Sequence, residues 1–166
     1  MSRINYSDDW DDLRFGRWLG CLRSTLLGKR GQQALALLEA ELERMSYTEL
    51  LGGALCEEVE NRYMDRYMVC TLGALAHSQG ITYNELLAVS QAGDEDEYPA
   101  DKLARWAEQN LNVSQALAYL LQEINDEEFD RHFSPEQRYR GMLAWVKRAR
   151  AEPLTVWREY RNARIP

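Results

Sequence analysis

Apolar side chains recur three and four residues apart along most of this chain, and that spacing commits it to amphipathic helices. Phe15, Trp18, Leu19, Leu22 and Leu26 form one stripe, which Gly28 breaks or bends. Leu35, Leu38, Leu42 and Met45 form a second, with Glu39, Glu41 and Glu43 assigned to the other faces. Val113, Leu117, Leu120, Leu121 and Ile124 form a third, and Tyr139, Met142, Leu143 and Val146 a fourth. Leu154, Trp157 and Tyr160 predict a short last helix. Capping boxes mark the starts, because an N-cap side chain and the residue at N3 satisfy each other's orphan donors. Ser46 with Glu49, Thr82 with Glu85, Asn112 with Gln115, and Ser134 with Gln137 all fit, and Pro135 suits a first helical position. Gly80 reads as a C-cap.

The expected fold is therefore mainly α: one compact domain of six to eight helices over residues 1–166. Residues 55–70 are the exception, since their pattern fits either a short β-hairpin turning near Asn61 or a continuous helix. Residues 92–100 read as an acidic loop ended by Pro99. With 166 residues, 45% of them hydrophobic, the chain buries a core without disulfides or metals. No apolar run approaches the roughly 20 residues a membrane span needs. The first six residues lack an apolar signal core, so a cytoplasmic location is expected. Cys21, Cys56 and Cys70 are irregularly spaced and read as free thiols, two or more of them buried.

Net charge is −7, unevenly spread. From Arg138 onward eight basic residues stand against Glu152 and Glu159, a local +6 that leaves −13 on the first 137 residues. Acidic clusters fall at Asp8, Asp9, Asp11 and Asp12, at Glu57, Glu58 and Glu60, at Asp94, Glu95, Asp96 and Glu97, and at Asp126, Glu127 and Glu128. Such a body opposes a polyanion at long range and suits solvated surface or a basic protein partner.

Catalytic constellations do not assemble from the sequence. Gly28-Lys29-Arg30-Gly31-Gln32 has a lysine but lacks the earlier glycine and the following Ser or Thr of a phosphate loop. It joins two helices, so it reads as a tight corner with exposed cations or as a partner contact. Cys70 and His77 on one helix lie about 10 Å apart along the axis, too far for a nucleophile and its base. Two His and three Cys give no zinc spacing, and His132 reads as a solvated turn. Glu57, Glu58, Glu60 and Asp65 offer paired carboxylates but equally read as exposed charge. A hydrolase or ligand-sequestering reading needs a pocket lined by Glu57, Glu58, Arg62 and Tyr63, or by Lys29 and Arg30. No cofactor is indicated.

Residues 103–109, 110–112 and 113–124 trace a helix-turn-helix outline. The second helix carries no Lys or Arg, so only Ser114, Gln115, Tyr119 and Gln122 have the chemistry to read bases. Lys147, Arg148 and the other C-terminal cations would supply phosphate contacts, or pair with the acidic body of the same chain or of a second subunit.

The chain resembles a family of small uncharacterised proteins of tailed bacteriophages and prophages. The resemblance rests on Met1-Ser2-Arg3 with Tyr6-Ser7-Asp8-Asp9, on Gly28-Lys29-Arg30-Gly31-Gln32, and on Cys70 with Leu72-Gly73-Ala74. Asn125-Asp126-Glu127 and Ser134-Pro135-Glu136-Gln137-Arg138-Tyr139, leading to Trp145-Val146, complete it in order. The segment 55–70 is longer and richer in Tyr and Met than the family pattern. The resemblance implies a role inside an infected bacterium and carries over no activity and no site residues.

The expected function is a non-enzymatic accessory protein that binds and inhibits a host protein. A nucleic-acid-handling defence system such as CRISPR–Cas fits, because its basic grooves attract acidic surfaces. The expected contact residues are Asp94, Glu95, Asp96, Glu97, Glu57, Glu58, Glu60, Lys29 and Arg30. The alternative is a DNA-binding regulator using Ser114, Gln115, Tyr119, Gln122, Lys147 and Arg148.

Overall fold

In a computed structural model, residues 12–59, 66–92, 99–128 and 133–162 are described. Among them the chain forms eight α-helices and one antiparallel hairpin. In order these are α1 (Asp12–Leu27), α2 (Lys29–Arg44), β1 (Cys56–Val59), β2 (Arg66–Val69), α3 (Thr71–Ser78), α4 (Tyr83–Gln91), α5 (Pro99–Asn110), α6 (Gln115–Glu123), α7 (Pro135–Ala151) and α8 (Pro153–Asn162). A π-helical turn, Ile124–Glu128, extends α6.

Helix α6 is the centre of the core. Every residue from Ala116 to Asn125 is buried, with α5, α1 and α3 packed around it. The predicted stripes supply the surrounding layer: Trp18, Leu22 and Leu26 from α1, Leu35, Leu38 and Leu42 from α2, and Tyr139, Met142 and Val146 from α7. Helix α8 covers α1 and α7 and buries Val156 and Tyr160. Leu154, expected on its apolar stripe, is instead 36% exposed.

Two capping boxes form as expected, at Thr82 with Glu85 and at Ser134 with Gln137. Gly80 takes φ +89° just past α3, with its N–H on His77 and that of Ile81 on Ala76. That pair of bonds is a Schellman closure, and it needs the left-handed conformation glycine adopts freely. The other two boxes are corrected. Ser46 starts no helix, since residues 45–55 run without regular structure into the hairpin. Ser114, not Asn112, caps α6, accepting from the Leu117 N–H, while Asn112 sits at φ +52° in the preceding turn.

Residues 55–70 form the hairpin. Cys56 faces Val69, Glu57 faces Met68, Glu58 faces Tyr67 and Val59 faces Arg66. Its turn near Asn61 lies outside the described residues. Buried Cys56 and Val69 tie its base to the core, and an added Cβ on Gly73 would meet the Leu55 carbonyl oxygen at 2.4 Å. Only glycine lets α3 approach this closely.

A buried polar hub closes the far end of the core. The Asn125 side-chain oxygen accepts from the Thr71 hydroxyl at 2.7 Å and from its N–H at 3.3 Å. Its amide donates to the Leu51 carbonyl at 2.9 Å and to Asp126 at 2.6 Å. Arg138, 6% exposed, donates to the carbonyls of Asn125 and Leu50 at 2.9 and 3.3 Å. Buried polar groups persist only when bonded in this way.

Candidate binding cleft

Glu41 lies three residues after Leu38 and one before Leu42, which turns its carboxylate toward the core side of α2 rather than outward. It is 5% exposed, a correction to its expected surface position. His77, in the last turn of α3, donates from Nδ1 to Glu41 Oε1 at 2.6 Å. Arg44, one helical turn on, donates from Nε and Nη2 to Oε2 at 3.2 and 2.6 Å. Burial alone would raise the Glu41 carboxyl, but the bonds from Arg44 and His77 and their charges outweigh it. The net effect holds the group below its ordinary value.

Aromatic rings stack on this base. Tyr83 of α4 lies on the His77 imidazole, with centroids 4.4 Å apart and planes within 9°. Tyr67 of β2 stacks on Tyr83 at 5.4 Å, and its hydroxyl donates to Asn84 at 2.9 Å. Burial and the Glu41 charge push the Tyr83 phenol up. Across the opening, Arg66 pairs with Glu49 at 2.6 Å and lies 4.9 Å from the centre of the Tyr47 ring. Met45, Ser46, Met68 and Val69 complete the lining of a cleft of about 190 Å³.

The other His77 ring nitrogen makes no hydrogen bond among the described residues. No cysteine joins it. Burial lifts the Cys56 thiol to about 11 and the Cys70 thiol to about 12, and Cys70 instead caps α3 through the Gly73 N–H. Neither is a thiolate nucleophile at neutral pH. All three cysteines are free, and Cys21 is exposed. Among the described residues no group of three or more His, Cys, Asp or Glu is placed to hold a metal ion. None of the described helices is long and apolar enough to cross a membrane.

The sequence-derived candidates scatter. Asp94, Glu95, Asp96, Glu97, Glu60, Asp65, Arg62, Tyr63 and His132 lie outside the described residues. Glu57 and Glu58 are exposed on β1, opposite the cleft residues Met68 and Tyr67. Lys29 is exposed at the α1–α2 corner. Arg30 there donates to the carbonyls of Asn112 and Val113 at 2.5 and 3.1 Å, and so ties the corner to the turn before α6. A hollow of about 180 Å³ beside it is lined by Ser24, Thr25, Gly28, Arg30, Gly31 and Ser114. A Cβ on Gly31 would sit 2.0 Å from the Thr25 carbonyl oxygen, so the corner itself requires glycine.

The helix-turn-helix outline exists as α5, a turn and α6, but its base-reading set is corrected. Tyr119 and Gln122 are buried, bonded to Asp101 and to the Ala118 carbonyl. Ser114 bonds Thr25 and caps its own helix, and Gln115 donates to Glu108. Lys147 pairs with Glu43 and Arg148 with Glu159. A helix buried on all sides has no face to lay in a groove.

The sequence reasoning missed the Glu41–His77–Tyr83 assembly. Its one signal was the carboxylate at Glu41, one position before Leu42 and one turn after Leu38. Compared with protein-family models, curated proteins and solved structures, the chain matches none.

Proposed function

We propose that this protein acts by binding another protein, with the Glu41–His77 cleft as an anchoring pocket, and that it performs no catalysis. The cleft's composition carries the reading. Tyrosine, methionine and arginine are the residues enriched where proteins bury anchors, and here Tyr47, Tyr67, Tyr83, Met45, Met68 and Arg44 surround one opening, with Arg66 over the Tyr47 ring. At about 190 Å³ the cleft falls below the roughly 300–1,000 Å³ of sites that enclose small-molecule ligands, and suits a single inserted side chain. Tyr67 and Tyr83 are held by stacking, which lowers the ordering cost of binding.

The phage-family resemblance supports a host protein in the cytoplasm of an infected bacterium as the partner, with inhibition as the outcome. The exposed Glu57 and Glu58 beside the cleft would steer it toward a basic surface, such as a nucleic-acid groove of a CRISPR–Cas effector. The test is affinity capture from host lysate, with and without nuclease, using wild type and Tyr67→Ala. A stoichiometric host protein that resists nuclease and is lost from Tyr67→Ala supports the reading. A partner that vanishes with nuclease, or is retained by the variant, overturns it.

A further inference from the structure

Six of the sixteen Lys and Arg among the described residues face a carboxylate. Arg14 pairs with Asp101, Arg44 with Glu41, Arg66 with Glu49, Lys147 with Glu43, Arg148 with Glu159 and Arg150 with Glu39. Arg17 and Arg23 of α1 and Arg158 and Arg161 of α8 make no ion pair among the described residues. The two helices pack together, so in a protein of charge −7 these four arginines stand on adjoining helices without a carboxylate of their own. Arg23 and Arg161 both lie over the Trp157 ring, at 5.4 and 5.5 Å, which holds their forks in place.

At 100° per residue, Leu13, Gly16, Arg17, Gly20, Arg23, Ser24 and Leu27 share the outward face of α1. All seven are exposed, Leu13 to 62% and Leu27 to 41%. Arginines flank this face on both edges and leucines stand at its two ends, about 21 Å apart along the axis. Between them Gly16 and Gly20 would meet nothing on gaining a Cβ, so no intramolecular contact requires them.

We infer that the outward face of α1, edged by Arg17 and Arg23 and continued by Arg161, docks an acidic amphipathic helix of a partner protein. Leucines at the ends take the partner's apolar stripe, and the arginines take carboxylates along its edges. Charge complementarity selects this occupant. A second copy of the chain would set Arg17 and Arg23 against their own kind, because α1 carries a single acid, Asp12. A nucleic acid would leave both leucines unmatched and would face the repulsion of the whole molecule. The surface is separate from the cleft, so each reading stands or fails alone.

The test is fluorescence anisotropy with a labelled designed helix about as long as α1, leucine on one face and glutamate along both edges. Two further probes are the same peptide with lysine for glutamate and a labelled DNA duplex. Expected is saturable binding of the acidic helix, with the lysine peptide and the duplex each weaker by about tenfold or more. The double variant Arg17→Glu/Arg23→Glu should lose about tenfold. Gly20→Leu, which blocks close approach but leaves charge intact, should lose about as much, and Tyr67→Ala should lose nothing. These changes sit on an exposed face, and an unaltered melting curve confirms folding. Equal binding of the three probes, tighter binding of the duplex, or an unaffected Gly20→Leu overturns the inference.

Discussion

Two polar clusters in this protein are built from similar parts and end in opposite conditions. The hub of Asn125, Thr71 and Arg138 bonds its groups to one another and to backbone carbonyls, and all three residues are buried. The cluster of Glu41, Arg44 and His77 is also bonded within itself, but it forms the wall of an open cleft and ends in stacked tyrosines. Burial of a charge therefore does not identify a site here. What distinguishes the second cluster is that Arg44 and His77 keep an exposed side around the buried Glu41, while the members of the first are used up in joining α7, the π-turn and the segment before the hairpin.

Removing Arg138 should give the largest effect. Arg138→Ala leaves the Leu50 and Asn125 carbonyls without their charged donor and should cost about 3 kcal/mol in urea denaturation. A cost near that of an exposed arginine would erase the distinction between the clusters. Gly31→Ala comes next. Its Cβ would meet the Thr25 carbonyl, so α1 and α2 must separate, at about 2 kcal/mol by the same assay.

Glu41→Gln tests the open cluster through pH. Its folded-state value is lowered, so ionised Glu41 contributes fully above the unfolded carboxyl value of about 4.3. That contribution fades as pH falls through the lowered folded value. The stability gap between wild type and Glu41→Gln should be about 1 kcal/mol near neutral pH and should shrink on acidification to about pH 3. A gap that widens in acid would reverse the sign assigned to the pair. Gly20→Ala should be smallest and opposite in sign. The new methyl meets nothing and alanine favours helix, so thermal melting should show a gain of about 0.5–1 kcal/mol.

The helices were legible because periodicity reports burial directly. Leu22, Leu26, Leu35, Leu38 and Leu42 all reach the core as their spacing requires. Capping chemistry was less reliable. A Ser-x-x-Glu string such as Ser46 to Glu49 forms a box only if a helix follows, and here the chain must instead reach the hairpin, with the Leu50 N–H on the Pro135 carbonyl and that of Leu51 on Val69. The hairpin itself was one of two readings, because four-residue strands are too short for alternation to separate them from helix. The cleft was nearly invisible. Glu41, Tyr67, His77 and Tyr83 come from four elements, and no local pattern shows that a tertiary fold stacks them.

The burial of α6 also orders the molecule in time. Its amides, from Leu117 to Glu123, sit on a helix with no solvent face. Their exchange with solvent deuterium has no local route and must wait for the whole chain to open. Helix α6 thus serves as an internal clock against which protection of the cleft strands, or of α1, is read when a partner binds.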